Sequence, residues 1–379
     1  MTGFPRHAQA LASLTSRGRR RVLAPRAGHD FASNDYLGLS ESDLMRAAAH
    51  AALDRGVPVG AGGSRLLRGN APEHEALEAE AAAFFGAERA LFMGGGFQAN
   101  TAIFSTLPLQ GDLVLHDALI HASAHDGMRL GRAETRSFPH NDVPAAEAAI
   151  ADWRAAGGDG QVWIAVESVY SMDGDFAPVA GLMALADRQG AVLVVDEAHA
   201  TGLWGPGGRG LSHGFADRSN LLSLHTCGKG LGVSGALICG DGVLIDTLVN
   251  KARSFIYATA PSPLNAALVR AALAELDRNP DLPARARAQV AEAHRLAKDH
   301  CGLTGLHSQI LPVILGDDKR ALAAAKALQA RGHDIRAIRP PTVPRGTARL
   351  RLSITLNVDA EILASLFHDL AHVLDEVPA

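Results

Sequence analysis

Short apolar runs rich in β-branched residues alternate with alanine-rich amphipathic stretches along most of this chain. Such alternation is typical of a doubly wound α/β fold, in which a mainly parallel central sheet carries helices on both faces. The clearest helix is predicted over residues 72–86, because Pro72 suits its first turn, Asn70 can cap it and Gly86 can end it. Strands are predicted at residues 89–93, 112–116, 161–167, 191–196, 221–225 and 235–239.

The pattern changes after about Asp277, where prolines interrupt it and a charged helix runs to His300. A strand, a helix, two further strands and a helix are predicted to complete the chain. We therefore expect a large α/β domain over residues 41–277 and a smaller C-terminal α+β domain over residues 278–379. Residues 1–40 are expected to form an N-terminal segment that packs with the smaller domain.

The composition excludes several classes of protein. With 379 residues, 47% of them hydrophobic, the chain can fill a large core. The chain has 36 Lys and Arg residues and 40 Asp and Glu residues, so it lacks the excess of positive charge that favours binding to nucleic acid or a membrane surface. The three cysteines have no disulfide or zinc spacing, and no stretch has the signature of a signal peptide or membrane span. A cytoplasmic protein with a small-molecule partner is expected.

Polar residues follow the ends of several predicted strands. In open α/β sheets ligands bind at the carboxyl ends of the strands, so these residues predict one cleft built from several loops. One of the loops, residues 226–232, isolates Lys229 among glycines. A partly desolvated lysine amine can act as nucleophile and base, and the absence of Cβ atoms lets a flat ring approach the backbone. Taken alone, the loop could equally hold a solvated lysine.

Asp196 ends the apolar run 191–195, and His199 follows three residues later. A buried carboxylate needs a cationic or donor partner, and a protonated pyridine nitrogen would supply one. By keeping that nitrogen charged, Asp196 would let the ring draw electrons from a carbanion. The structural alternative is an aspartate that caps a turn.

A phosphate-binding site is predicted from two segments. Residues 94–100 leave a strand and open a helix, which exposes free amides at a helix N-terminus. Thr226 lies three positions before Lys229, and its hydroxyl can donate to the same phosphate. The loop around Lys229 matches neither a P-loop nor a dinucleotide fingerprint, because Ser223 and Gly230 stand where the P-loop requires glycine and a hydroxyl residue.

Three histidines, His116, His121 and His125, resemble a metal cluster, and the last two would share a helix face. No acidic or cysteine ligand completes a convincing set, so no metal is predicted. Instead, His121 near the start of its helix is expected to stack on a cofactor ring, with a purely structural histidine as the alternative.

Taken together, these motifs give the chain a resemblance to the α-oxoamine synthase family of fold-type I pyridoxal-phosphate enzymes, over nearly its whole length. Within that family it is most similar to the branch that acts in biotin synthesis. The segments that carry the resemblance are residues 33–39, 62–66, 121–123, 140–142, 171–175, 196–199 and 226–232.

The resemblance implies a role for each residue that matches a family motif. Lys229 would carry pyridoxal 5'-phosphate as a covalent aldimine, Asp196 would bind the pyridinium nitrogen and His199 the phenolic oxygen. His121 would stack on the ring and act in catalysis. The remaining implied cofactor contacts are Gly96, Phe97, Ser171 and Thr226, with Tyr257 and Thr259 reaching the neighbouring subunit's phosphate across a homodimer interface.

For the substrates, the resemblance implies decarboxylative condensation of L-alanine with a pimeloyl thioester. Arg19 and Thr342 match acyl-substrate contacts, Asn34 and His121 belong to the same site, and Arg351 matches the arginine that holds the amino-acid carboxylate. Arg349 is the alternative if the register slips by two residues. Whether the acyl carrier is coenzyme A or an acyl-carrier protein stays open.

Three other functions compete with this one. Other members of the family join glycine or serine to acetyl, succinyl or palmitoyl thioesters with the same lysine chemistry. A non-catalytic binding subunit of the same fold is a different class, disfavoured because Lys229, Asp196 and His199 are all present. A histidine-metal hydrolase would require zinc.

Overall fold

In the computed structural model, which describes residues 3–377, the chain forms two compact units. The catalytic unit, as we name it for the site described below, comprises residues 34–171 and 175–286. The second unit comprises the described residues up to Ser33, the segment Met172–Gly174 and the described residues from Arg287 onward. Both units therefore draw on separate stretches of the chain.

Twelve strands occur within residues 3–377. In chain order they are β1 (His29–Asp30), β2 (Arg89–Met93), β3 (Leu113–Asp117), β4 (Glu134–Phe138), β5 (Val162–Glu167), β6 (Val192–Asp196), β7 (Leu221–Thr226), β8 (Ala236–Gly240), β9 (Ile310–Gly316), β10 (His333–Asp334), β11 (Arg336–Ile338) and β12 (Ala348–Ser353).

The α-helices follow the same order. They are α1 (Pro5–Ser16), α2 (Asp43–Asp54), α3 (Pro72–Phe85), α4 (Gly96–Thr106), α5 (Ala122–Leu130), α6 (Val143–Ala155), α7 (Val179–Gln189), α8 (Gly242–Lys251), α9 (Arg253–Ile256), α10 (Pro263–Arg278), α11 (Asp281–Cys301), α12 (Asp318–Ala330) and α13 (Ala360–Glu376).

The catalytic unit is organised around a seven-stranded sheet with the strand order β2-β8-β7-β6-β5-β3-β4. Strand β8 runs antiparallel to both of its neighbours, and the other pairings are parallel. The sheet is therefore mainly parallel, and the predicted fold class is confirmed. No helix within residues 3–377 is long and apolar enough to cross a membrane.

Apolar side chains cover both faces of this sheet. Successive strand residues point to opposite faces, so Val194 packs with Ile103 of α4 and Met128 of α5, whereas Val195 packs with α6 and α7 through residues such as Ile150. Because both faces are buried, β5 and β6 are apolar up to their last residue rather than alternating. Asp196, two residues after Val194, consequently lies on the α4 face of the sheet.

The second unit has its own core and sheet. Strands β11, β12 and β9 form an antiparallel sheet in that order, and β1 pairs with β10 in parallel. Its buried cluster includes Phe31, Leu350 and Phe367, all fully buried. The N-terminal strand thereby joins the C-terminal third of the chain in one core.

Most predicted strands lie within one residue of the observed bounds, and β2 matches its prediction of 89–93. Strand β4 was not predicted. Its residues, Glu134 to Phe138, are mostly polar and partly exposed, because β4 is the edge strand of the sheet. An edge strand needs little apolar surface, and so it lacks the signal by which the buried strands are found.

Helix α3 confirms one predicted terminus and corrects the other. Gly86 ends the helix in the left-handed conformation, with φ of 77°. The N-cap, however, is Ala71, whose backbone N–H donates to Nδ1 of His74 at 3.0 Å. Asn70 does not cap the helix, because its side chain bonds Arg65 and Glu75 instead.

Candidate active site

Three neighbouring strands of the catalytic unit end in residues with polar side chains. Glu167 ends β5, Asp196 ends β6 and Thr226 ends β7, and Glu167 lies directly beside Asp196 in the register of the sheet. These strands are parallel, so the three side chains gather at one edge. The polar residues predicted to gather after the strand ends therefore meet at this edge.

Lys229 lies in the turn that follows β7, and its Nζ is 2.8 Å from Nε2 of His199. On the other side of the imidazole, Nδ1 of His199 lies 2.6 Å from the hydroxyl of Tyr36. That hydroxyl donates to Oδ1 of Asn34 at 3.0 Å, so its oxygen accepts from Nδ1–H and leaves Nε2 to accept from the lysine. The chain of contacts orients a buried histidine against the amine.

The structure explains the two glycines beside Lys229 in different ways. A Cβ on Gly230 would lie 2.3 Å from the carbonyl oxygen of Thr201, so this glycine is required by packing within the protein. A Cβ on Gly228 would meet nothing closer than 3.9 Å, and this residue is exposed. The expectation that both glycines make room for a ring is therefore wrong for Gly230.

The carboxylate of Asp196 is buried and bonded on both oxygens. Its Oδ1 accepts from the backbone N–H of Ala198 at 2.9 Å, and its Oδ2 accepts from Nδ2 of Asn100 at 2.7 Å. Asn100 lies in the second turn of α4, which packs on this face of the sheet. A buried carboxylate held in this way is pre-oriented to meet a cationic ring nitrogen.

Glu167 is a second buried carboxyl group in the site. Its Oε2 accepts from the backbone N–H of Ser171 at 3.1 Å, whereas its Oε1 has no hydrogen-bond partner among the described residues. Burial and the neighbouring Asp196 raise the pKa of Glu167 to about 8, although Lys229 opposes the rise. At neutral pH this group is therefore protonated.

The predicted phosphate site brings two distant segments together. Helix α4 begins at Gly96, so the amides of its first turn are free of intrahelical partners. A Cβ on Gly96 would lie 2.4 Å from Oγ1 of Thr226, which places the helix terminus directly beside this hydroxyl. Backbone donors, the positive end of the helix dipole and a hydroxyl thus converge, as an anion site requires.

His121 is the N-cap of α5, and its Nδ1 accepts from the backbone N–H of Ser123 at 3.2 Å. The surrounding protein removes water from part of the ring and thereby lowers the pKa of His121; Asp196 opposes this effect and Lys229 adds to it. The residue is still solvent-exposed in the chain alone. Its ring is therefore available to stack on a flat ligand.

The other two histidines of the suspected cluster pack on each other. The rings of His116 and His125 meet edge to face at 4.9 Å. Across residues 3–377, no group of three or more His, Cys, Asp or Glu side chains is arranged to hold a metal ion. These two histidines are accounted for as structural residues.

His140, in another segment that carries the family resemblance, lies between two carboxylates. Its Nδ1 is 2.9 Å from Asp117 and its Nε2 is 2.7 Å from Asp175. Although burial opposes it, these carboxylates raise the pKa of His140 to about 10. The resulting ion pairs tie the loops after β3 and β4 to the segment after Ser171.

The remaining predicted cofactor contacts differ in exposure. Ser171 is buried beside Glu167. Phe97, Tyr257 and Thr259 are exposed, with 72% of the surface of Tyr257 accessible. Exposed aromatic residues of this kind are available to a second copy of the chain, but their role across an interface stays a prediction.

The predicted substrate residues Arg19, Thr342 and Arg351 belong to the second unit. Arg19 forms an ion pair of 2.7 Å with Asp318, and Thr342 accepts from Nη2 of Arg21 at 3.2 Å. Arg351 is buried in β12, where its Nη1 donates to Ser353.

Arg349, the alternative to Arg351, lies two residues earlier on the same face of β12. Its Nη1 forms an ion pair of 2.5 Å with Asp173 and donates to the carbonyl of Met172. Arg349 is therefore already paired with a carboxylate within the chain.

Three residues of the site were given no role from the sequence, namely Tyr36, Asn100 and Glu167. Tyr36 and Asn100 do lie in segments already singled out, residues 33–39 and 94–100, but nothing in those segments indicates which residue each would contact. Glu167 could have been found from its position at the end of a fully apolar strand, the same signal that identified Asp196.

The family described as aminotransferase class I and II matches residues 28–368 of the chain. The chain belongs to this family. Among curated relatives, the 8-amino-7-oxononanoate synthase of Anaeromyxobacter dehalogenans (strain 2CP-1) is 41% identical over 97% of this chain and 95% of its own length. The resemblance to α-oxoamine synthases is thereby confirmed.

Solved structures of other proteins share this fold. A serine palmitoyltransferase from S. paucimobilis, with a bound PLP–myriocin aldimine, superimposes with a TM-score of 0.89 at 25% identity, covering 99% of this chain and 98% of that one. The 8-amino-7-oxononanoate synthase from Francisella tularensis has a TM-score of 0.75 at 27% identity, covering 92% and 98%.

Proposed function

We propose that this chain catalyses the pyridoxal-phosphate-dependent condensation of L-alanine with a pimeloyl thioester, giving 8-amino-7-oxononanoate, carbon dioxide and the free carrier in biotin biosynthesis. The observation that carries the proposal is the joint position of Lys229, Asp196 and the Gly96–Thr226 cradle at one sheet edge. The curated relatives, about 41% identical over nearly the whole chain, support this reaction among those of the family.

The residues at this edge fit pyridoxal phosphate. The phosphate matches the free amides of α4 beside the Thr226 hydroxyl, and the ring nitrogen matches the carboxylate of Asp196. The exposed ring of His121 offers a stacking face, and the His199 imidazole lies between Tyr36 and Lys229. When bound, the cofactor supplies an aldehyde that joins amines and a ring that accepts an electron pair.

Lys229 has two tasks in this proposal. It holds the cofactor covalently, and once the amino group of alanine has taken its place, the freed amine removes the α-proton. His199 accepts a hydrogen bond from the lysine in the chain alone, and so holds the amine close to the reacting centre. A positioned base of this kind contributes about 10²–10⁴-fold to rate.

Asp196 keeps the ring nitrogen protonated while negative charge develops at the substrate carbon. Its two hydrogen bonds hold the carboxylate in position, and burial together with the neighbouring Asp196 raises the pKa of Glu167 to about 8, so Glu167 is protonated at neutral pH. Each unit by which this contact raises the pKa of the ring nitrogen corresponds to about 1.4 kcal/mol. The substrate carbon would then bond to the thioester carbonyl as the thiolate carrier leaves, and after the amino-acid carboxylate departs as carbon dioxide the same carbon would take up a proton.

Arg351 is the proposed partner of the alanine carboxylate, and Arg19 and Thr342 are the proposed contacts of the acyl substrate. We also propose a homodimer, in which the exposed Tyr257 and Thr259 reach the phosphate of the neighbouring subunit. Sedimentation of the purified protein at several concentrations tests the dimer directly.

A serine palmitoyltransferase activity is the second candidate, because the S. paucimobilis enzyme superimposes with the higher TM-score of the two structures compared. It is disfavoured by sequence identity, which is 25% for that enzyme against 41% for the biotin-pathway relative. The two candidates share the lysine chemistry and differ in the acyl chain and the amino acid.

The test is a product assay with pimeloyl, acetyl, succinyl and palmitoyl thioesters, each offered with alanine, glycine and serine. Pimeloyl with alanine should turn over best, and its product should have the mass of 8-amino-7-oxononanoate. Lys229→Ala should be inactive, whereas Lys251→Ala, at an exposed lysine in the last turn of α8, should behave like the unmodified chain. Preference for palmitoyl with serine would overturn the pimeloyl assignment and leave the lysine chemistry intact.

A further inference from the structure

A continuous hydrogen-bond chain joins Asp196 to His121 through two intervening side chains, those of Asn100 and Ser123. Nδ2 of Asn100 donates to Oδ2 of Asp196 at 2.7 Å and to Oγ of Ser123 at 2.9 Å. Oγ of Ser123 in turn lies 2.7 Å from Nδ1 of His121. Asn100 and Ser123 are almost completely buried, with 3% and 0% of their surface exposed.

The direction of each bond in this chain is fixed by chemistry. A carboxylate only accepts hydrogen bonds, so the amide nitrogen of Asn100, not its oxygen, must face Asp196. The second hydrogen of the same nitrogen points at Ser123, whose oxygen therefore accepts. The hydroxyl hydrogen of Ser123 is then available for the remaining neighbour of Oγ, which is Nδ1 of His121.

A second donor approaches the same imidazole nitrogen. The backbone N–H of Ser123 lies 3.2 Å from Nδ1 of His121, and unlike a hydroxyl it cannot rotate away. A nitrogen that accepts from two donors must present its lone pair. In a neutral imidazole the proton then resides on the other nitrogen.

We propose that Asn100 and Ser123 are positioning residues that hold His121 as the neutral tautomer with its proton on Nε2. The stacking ring then adds no positive charge beside the ring nitrogen that Asp196 keeps protonated. It also presents an N–H donor, rather than a lone pair, to a substrate oxygen. Both consequences rest on the proposed function, whereas the tautomer itself is a property of the chain.

The charged and titratable groups around His121 agree with a neutral ring. Burial lowers its pKa, Lys229 acts in the same direction and Asp196 opposes them. His121 in turn disfavours the protonation of His125, one turn along α5. The hydrogen bonds to Nδ1 add to these effects, because they are lost when Nδ1 takes up a proton.

The experiment is nitrogen NMR of the full chain with its cofactor, labelled with ¹⁵N in the histidine rings. The ring-nitrogen signals that are absent from the spectrum of His121→Asn are thereby assigned to His121. The unmodified chain should show a protonated Nε2 and an unprotonated Nδ1. In Ser123→Ala, the pKa of His121 should rise by roughly half a unit to one unit, because one hydrogen bond to the neutral form is removed.

Two further variants control for damage to the fold. Ser123→Thr keeps the hydroxyl and should restore the original titration. Ser105→Ala removes a hydroxyl of α4 that bonds only within its own helix and to its neighbour, and should leave His121 unchanged. A proton on Nδ1 in the unmodified chain would overturn the proposal, as would an unchanged titration in Ser123→Ala.

Kinetics connect the tautomer to turnover. The pH at which kcat begins to fall on the acid side should be higher in Ser123→Ala than in the unmodified chain. This increase should equal the rise in the pKa of His121 measured by NMR. If no substrate pair gives product in the assay, the proposed function is wrong. The tautomer of His121 is tested independently, by the NMR measurement.

Discussion

Glu167 offers the sharpest test of the electrostatics of the site. In the chain without cofactor its pKa is raised to about 8, against 4.5 for an ordinary glutamate. Because the folded-state pKa is raised, the folded chain holds a proton that the unfolded chain has released. The stability linked to this group is therefore fully present below pH 4.5 and is lost as the pH rises through 8.

The magnitude follows from these two pKa values. Between pH 5 and pH 8 the linked loss of stability is about 3 kcal/mol. For a chain of 379 residues this corresponds to a fall of about 4 °C in the thermal midpoint. The glutamine side chain in Glu167→Gln cannot ionise, so the thermal midpoint of this variant should not show this fall of about 4 °C as the pH rises.

The assay is thermal unfolding of the cofactor-free chain and of Glu167→Gln at half-unit steps from about pH 5 to pH 8. The two curves should converge at the acid end and separate by about 4 °C toward pH 8. Glu361→Gln, which changes an exposed glutamate in the first turn of α13, serves as the matched control and should follow the unmodified chain. Parallel curves for the chain and for Glu167→Gln would refute the reasoning.

Four other substitutions test separate parts of the structure. Gly96→Ala should weaken cofactor binding at least tenfold in a titration followed by absorbance, because its Cβ would lie 2.4 Å from Oγ1 of Thr226. Arg351→Gln should raise the KM for alanine far more than it changes kcat, whereas Arg349→Gln should chiefly lower the thermal midpoint, since it breaks a buried ion pair. The thermal midpoint of His140→Gln should depend less on pH between 6.5 and 10 than that of the unmodified chain. The reason is that the stabilisation by protonated His140 is complete below pH 6.5 and is lost as the pH rises through about 10.

The fold was largely predictable because its determinants are local in sequence. The buried strands carry runs of apolar residues, and a polar residue directly after such a run marks the ligand-binding edge of the sheet. Asp196 could be found in this way. Strand β4 could not, since an edge strand with polar residues lacks the apolar run.

The contacts of the site depend on register and on packing between distant segments, which no local pattern reveals. That Glu167 lies beside Asp196 follows from the pairing of β5 with β6, and that Asn100 bonds Asp196 follows from the way α4 packs on the sheet. The role of Gly230 was misjudged for the same reason, because the carbonyl that it accommodates belongs to Thr201, 29 positions earlier.

The most direct test of the central claim uses the scarcity of lysine in this chain. Only five lysines occur, at positions 229, 251, 298, 319 and 326. The purified enzyme with its cofactor should be treated with borohydride, digested and analysed by mass spectrometry. We predict that reduced pyridoxal phosphate is found on Lys229 alone; a protein without the label, or one labelled at another lysine, would contradict the account.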